Sequence, residues 1–401
     1  MLDFDTARAQ LIAAALPVCQ TETVSLTEGL GRTLCSAITS PIDVPGFDNS
    51  AMDGYALHIS DFDKMPERFA VVQRIAAGQT GNPLVPNEAA RIFTGAPVPQ
   101  GANVVVPQEH TEAAEDHIRL TQPIVPFQHI RRRGEDIQAA AVIIATGTRL
   151  TPAHLALAAS VGVNQLNVFA KLKVAILFTG DELTEPGQPL APGAIYNSNR
   201  YAIRALLDKL GCEVIDLGIV RDSAQATREA LQHASTLADV IITCGGVSVG
   251  EEDHVKAAVQ ALGQLNLWQI AMKPGKPLAY GKVGDADFIG LPGNPVSAFV
   301  TFVLMARPFL LRRMGVANLD THSIPAVAGV DWPKPDRRRE FLRAGFERDD
   351  QGASVLNIWP NQGSGVMSSV AWADGLIDVP PNTAIRKGDT VQYLPFSDLM
   401  G

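Results

Sequence analysis

The clearest pattern lies between about residues 171 and 318, where short β-branched apolar runs alternate with stretches of helical periodicity. Strands are predicted at 174–178, 213–220, 240–243 and 267–272, and a hairpin at 278–289. Helices are predicted at 199–210 and 224–238, from Gly250 onward, and over 294–314. Apolar runs of this length suit strands covered on both faces, and their alternation with helices predicts a parallel α/β sheet with helices on both sides. The stretch DVIITCGGVSVGEEDHVK at 239–256 carries this logic in one piece: an apolar run, a glycine pair and an acidic helix start. Ser248 or Gly250 can cap that helix, while Val255, Ala258, Val259 and Leu262 give it an apolar face.

The texture changes on either side. Phe4, Ala7, Leu11 and Ala14 or Ala15 share one helical face, and 21–40 reads as a strand and a short link. The segment 41–56 is dense in turn formers but contains Phe47, Met52 and Tyr55, which predicts a loop fixed by apolar anchors. Short strand candidates separated by Gly- and Pro-rich turns then fill the region up to 137. A strand-and-helix layer returns from 138 to 170, with Thr151-Pro152 as a helix start.

The expected organisation is a split linking or dimerisation domain (1–40 and 138–170), whose first helix is free to pack on the α/β domain, and an inserted β-rich domain (41–137). The α/β domain (171–318) and a C-terminal β-barrel domain (319–401) complete this α/β and β multidomain reading.

Composition narrows the class. The chain has 401 residues, 46% hydrophobic and 19% charged, enough for several cores. A formal charge of −9 argues against gripping nucleic acid, so an anionic substrate must be held by local cations. The four cysteines form no CxxC and the eight histidines no HExxH, so neither a zinc site nor a disulfide framework is predicted, and a reducing cytoplasm is the simplest home. Asp3 and Asp5 stand where a secretory signal would carry positive charge, and no apolar run reads as long enough to cross a bilayer. P-loop and dinucleotide fingerprints are missing.

The candidate chemistry gathers just after the predicted strands: Glu182, Asp222, the turn Gly245-Gly246-Val247-Ser248, the pair Lys273 and Lys276, and Pro292-Gly293-Asn294-Pro295. In open α/β sheets ligands bind outside the carboxyl ends of the strands. Lys273 and Lys276 bracket a stiff and then a permissive residue and can aim two ammonium groups at one oxyanion. Glu182, Asp222 and Asp253 would repel a bare anion unless a divalent cation intervenes, and oxygen ligands favour magnesium over zinc. By residue type alone, Asp53 and Thr94 read as turn caps, Arg131-Arg132-Arg133 ahead of Asp136 as a solvated charge run, Arg343 as a surface ion-pair member and Ser364 as a turn residue.

Taken together, FDNSAMDGYA at 47–56, IFTGAPVP at 92–99, RRGED at 132–136, TGDEL at 179–183, CGGVSVGEEDHVK at 244–256, MKPGKPLAYG at 272–281 and LPGNPVSAFVTF at 291–302 resemble the molybdopterin molybdenumtransferase family, which includes the E domain of gephyrin. The C-terminal module matches mainly through FLRAGF and NQGSGV.

The resemblance implies a homodimer with a composite cleft. It implies insertion of molybdate into adenylylated molybdopterin with release of AMP, and a requirement for Mg2+. It assigns Glu182, Asp222 and Asp253 to the metal or the phosphate-bearing substrate, and Asp53, Thr94 and Asp136 to the site from across the dimer. Lys273, Lys276, Arg343 and Ser364 would hold or position molybdate; Gly245 and Gly246 would approach the pterin or its phosphate, and Ser248, Pro292, Asn294 and Pro295 would also bind the substrate. Contact with a molybdopterin adenylyltransferase or with recipient molybdoenzymes is also implied, with no nucleic acid or membrane as partner. A molybdopterin adenylyltransferase itself would be a short chain, and a scaffold that kept only the fold would have lost these charged residues.

Overall fold

The computed structural model describes residues 1–246 and 254–400. Its central sheet has the order Glu213–Val220, Lys173–Thr179, Val240–Cys244, Ala286–Leu291, Pro277–Val283, Gly263–Gln269. The first four strands are mutually parallel, and the last two join antiparallel at one edge, so the sheet is mixed instead of wholly parallel. The reason is local: Gly284 closes a tight hairpin, and a hairpin can only make antiparallel neighbours.

One face is covered by Phe4–Ala14, Ser198–Leu210 and the helical run from Pro295 to Arg313; the other by Ala224–Leu237 and His254–Leu262. Phe4, Ala7 and Leu11 enter the same core as Val174, Ile176 and Phe178, each such burial contributing roughly 1.5–3 kcal/mol for the larger side chains. The predicted helix start from Gly250, with its caps, lies outside the described residues.

The long core helix is one run in three parts: Pro295–Thr301, a wide π turn at Phe302–Ala306, and Arg307–Arg313. The wide turn stands just ahead of Pro308, whose ring cannot donate to the preceding turn. At 19 residues this run is long and apolar enough to cross a bilayer, contrary to the sequence reading, but 89% of its most apolar stretch is buried inside the fold. It is the spine of the core.

The predicted strand at 267–272 is also corrected. Gly263–Gln269 stays in the central sheet, whereas Met272–Lys273 crosses over and pairs in parallel with the start of Arg339–Arg348. It becomes the edge of the C-terminal sheet, which continues through Gly375–Val379, Thr390–Pro395 and Ile324–Val327. Phe341, Leu376 and Leu394 of this sheet belong to the core that holds Phe4 and Phe309, so the two units are joined by packing as well as by a strand.

Toward the N-terminus, Thr21–Ser25 pairs with Gln165–Phe169 and Ile38–Thr39 with Val142–Ile144, forming a layer from two distant pieces of chain. Between them stands a six-stranded sheet in the order Val104–Pro107, Gly54–Leu57, Glu88–Ile92, Phe69–Ile75, His117–Leu120, Thr111–Ala113. Tyr55 packs against the core of this sheet as expected, but the loop before Gly54 is pinned by charge and not by Phe47 and Met52. Phe47 and Met52 are 50% and 40% exposed, while Asp48 and Asp43 accept from Arg132 and Arg133, both at 2.6 Å.

Candidate active site

The chain leaves Lys173–Thr179 toward one edge of the sheet and Val240–Cys244 toward the other, and a cleft opens where their carboxyl ends diverge. Its cavity volume is about 690 Å3. The floor is Thr179 and Gly245-Gly246. Gly246 has φ +64°, and a Cβ there would come within 2.5 Å of Val255 Cγ2, so backbone alone can form this surface. Cys244 also borders the cleft, where burial pushes its thiol well above the usual range.

Two helix starts point into the cleft. Pro292 to Pro295 lead into the core helix, and Asn294 spends its side chain on the C-terminal domain: its Nδ2 donates to Ser364 Oγ at 3.0 Å, and the Val296 N–H donates to the Ser364 carbonyl at 2.9 Å. The second start is Ser198–Leu210, capped by Asn197 Oδ1, which accepts from the Arg200 N–H at 3.2 Å. Asn199 ties the two together through a 2.7 Å bond from its Nδ2 to the Gly293 carbonyl. Both ends bring partial positive charge to the cavity.

The cations differ in state. Lys273 Nζ is held 2.8 Å from Glu340 Oε1 and 3.3 Å from Asp336 Oδ2. Its pKa is raised, burial being outweighed by the two carboxylates. Lys276 has no side-chain partner among the described residues and faces the cavity. Between them Gly275, with φ +106°, passes so close to the core helix that a Cβ would meet Thr301 Oγ1 at 2.2 Å. Arg338, which the sequence reading missed, also lines the wall; Asp336 grips its Nε and Nη2 at 3.0 and 2.9 Å. That grip, led by the Arg338 side chain, holds the Asp336 carboxyl far below the usual range.

Arg343 is no surface ion-pair member. It is 1% exposed and lies behind the wall, with Nε donating to Ser369 Oγ (3.0 Å) and Nη2 to the Gly363 carbonyl (3.2 Å). Gln362 clasps its backbone in both directions, at 2.9 and 3.0 Å. Burial lowers its pKa to about 10. Gln362, Gly363 and Ser364, which Arg343 and Asn294 fix from two sides, do line the cleft.

Among the carboxylates expected from the sequence, Glu182 lines the cavity, folded back so that its carboxylate lies against Gly180. Asp222 is exposed beyond the end of Glu213–Val220 and is not part of the wall. Ser248 and Asp253 lie outside the described residues. Among the described residues, no three His, Cys, Asp or Glu side chains gather as a metal set.

Asp53, Thr94 and Asp136 sit in the inserted β domain, away from this cleft. Asp53 Oδ1 accepts from both the N–H and the Oγ of Thr94 at 2.8 Å, which depresses its pKa. Asp136 is exposed, and its backbone N–H donates to the Val44 carbonyl at 3.1 Å.

The sequence reading also passed over Asn197 and Asn199, and gave Gln362 no role of its own within the NQGSGV motif. The run YNSNR before an amphipathic helix was the signal for the first two, since Asn is a favoured cap. For Gln362 the NQGSGV motif was the signal, and for Arg338 no local signal exists.

Comparison with known proteins agrees with this architecture along the whole chain. Residues 2–162 match the MoeA N-terminal region (domain I and II), 175–312 a probable molybdopterin binding domain, and 325–396 the MoeA C-terminal region (domain IV). The molybdopterin molybdenumtransferase of Haemophilus influenzae is 40% identical over 405 residues, covering 100% of both chains. That of Bacillus subtilis is 35% identical over 94% of this chain and 90% of its own. The crystal structure of the molybdopterin biosynthesis moeA protein from Pyrococcus horikoshii superposes with a TM-score of 0.86 at 27% identity, covering 98% of this chain and 100% of that one. With full-length relatives at this identity and the same succession of domains, the chain belongs to the molybdopterin molybdenumtransferase family, enzymes of molybdenum cofactor biosynthesis.

Proposed function

We propose that the chain inserts molybdate into adenylylated molybdopterin, releasing AMP, in the cleft between the α/β and C-terminal domains. The observation that carries this reading is the pairing of an unengaged ammonium group, Lys276, with a glycine floor and two helix starts in one cavity. Such a site suits a substrate that brings both a phosphate and a tetrahedral oxyanion. Gly245, Gly246, Pro292, Asn294 and Pro295 form the nucleotide side, joined by Ser248 from the sequence reading; Lys276 and Ser364 form the oxyanion side, with Lys273 and Arg343 as their supports.

Magnesium would be held by Glu182 together with Asp222 and Asp253, hard oxygen donors that suit it, and would neutralise charge on the bridging phosphates. Within the described residues Glu182 stands in the wall without the other two, so this set is incomplete there.

Asp53, Thr94 and Asp136 enter the reaction from a second copy of the chain. Support comes from their absence from the lining of the cleft in their own chain and from the exposed Ile42, Phe47 and Met52 on the loop that leads to Asp53, an apolar surface of the kind that meets a partner. A cytoplasmic homodimer that receives substrate from the adenylyltransferase and serves molybdoenzymes completes the proposal.

The test is an assay with purified protein, adenylylated molybdopterin, molybdate and Mg2+. AMP and active cofactor form together at micromolar molybdate without added ATP; a requirement for ATP, or no active cofactor, overturns the reading. For the shared cleft, Asp53→Ala and Lys276→Ala homodimers should both be strongly impaired at limiting molybdate, and co-folded mixed dimers should regain activity through one intact site. Mixed dimers no more active than either parent would rule out sharing.

A further inference from the structure

A second cavity, of about 580 Å3, opens beside the cleft and shares Lys276 and Arg338 with it as a common wall. Its other polar boundaries are Asp336, Arg337 and Asn382. The wall is rigidly built. Asp336 grips Arg338 through Nε and Nη2, accepts from the Arg338 backbone N–H at 3.0 Å, and gives its own carbonyl to the Asn382 N–H at 2.7 Å. Charge is distributed unevenly around it: Asp336 and Glu340 neutralise Lys273 and Arg338, leaving Lys276 and Arg337 without a carboxylate partner among the described residues. On a chain of net charge −9, two uncompensated cations at one opening create a local field that favours a small dianion.

We propose that this side cavity is the docking port for the free tetrahedral oxyanion substrate, which reaches Lys276 through it while the nucleotide fills the main cleft. The inference rests on the proposed function. A bulky nucleotide seated on the glycine floor would close the main opening, and the shared wall offers the oxyanion a route that does not cross it. Arg337 captures the dianion at the mouth. The Nη1 of Arg338, the edge that Asp336 leaves free, and Lys276 pass it inward. A planar guanidinium whose orientation a carboxylate fixes suits a tetrahedral oxyanion. A phosphate of the nucleotide has the same chemistry, and the kinetics separate the two sources.

The experiment measures steady-state kinetics of the full-length protein with each substrate varied in turn. Arg337→Gln should raise KM for molybdate about three- to tenfold, and Arg337→Glu more, through loss of local steering. KM for adenylylated molybdopterin should stay constant, and saturating molybdate should restore turnover. Arg337→Lys should recover most of the loss. Arg228→Gln, the same charge change on the outer helix Ala224–Leu237, should leave the molybdate KM unaltered. The proposal is overturned if Arg337→Glu leaves the molybdate KM unchanged, if the nucleotide KM rises alone or in parallel, or if Arg228→Gln matches Arg337→Gln. Inactivity of the wild-type protein would instead remove the proposed function, so the two failures are distinguishable.

Discussion

Lys276→Ala should lower kcat/KM for molybdate by about a hundredfold, equivalent to roughly 3 kcal/mol of charge-assisted binding, without lowering the denaturation midpoint. Its ammonium group has no side-chain partner among the described residues, so truncation removes nothing from the fold, and the Lys276 carbonyl that fixes the loop by accepting from the Ile270 N–H at 2.8 Å is retained.

Lys273→Ala should behave in the opposite way. It strands Glu340, a carboxylate 1% exposed, and should cost about 2–3 kcal/mol of stability; the figure is below that of a fully buried pair because Lys273 keeps 37% of its side chain in solvent. Adding Glu340→Gln should return part of that loss by removing the stranded charge. Urea titration alongside molybdate kinetics separates the two lysines, and equal stability losses would contradict the division of roles.

Arg343→Lys is the second large effect, expected at about 2–4 kcal/mol of destabilisation with loss of activity, despite conserved charge. One planar guanidinium reaches Ser369 Oγ and the Gly363 carbonyl together, whereas a lysine carries its donors at a single point. The acceptor it abandons is buried beside a loop that lines the cleft at Gln362, Gly363 and Ser364. Stability and activity should therefore fall together, with Arg343→Met showing at least as large a loss of activity. If Arg343 instead held molybdate directly, Arg343→Lys would raise the molybdate KM at unchanged stability, and the same two measurements would reveal it.

Much of the architecture was legible in the chain because it follows from local regularities. Strand runs at 174–178 and 240–243, the glycine pair and the helix start after Pro292 all depend on residues a few positions apart, and each was placed in the α/β domain where the structure has it. Of the residues singled out at the strand ends, Glu182, Gly245, Gly246, Lys273, Lys276 and Pro292 to Pro295 line the cleft, whereas Asp222 does not. Where reading failed, a competing interaction came from far along the chain. Met272–Lys273 reads as the end of a strand but is captured by residues 339–340. Phe47 and Met52 read as anchors, but the loop is held by Arg132 and Arg133, about eighty-five residues away.

Sequence alone thus determined the order of the domains, the α/β core with its strand-end turns, and the motifs that mark the family, since spacing, periodicity and residue type carry these directly. Tertiary structure decided the electrostatic state of each charge. Lys273 and Lys276 are three residues apart and indistinguishable by type, yet one is bound to Glu340 and Asp336 and the other faces the cleft. Arg343, read as a surface charge, became a buried brace for a loop almost twenty residues further on. A charge is defined by what lies within a few ångströms of it, and here those neighbours are supplied by other elements of the fold.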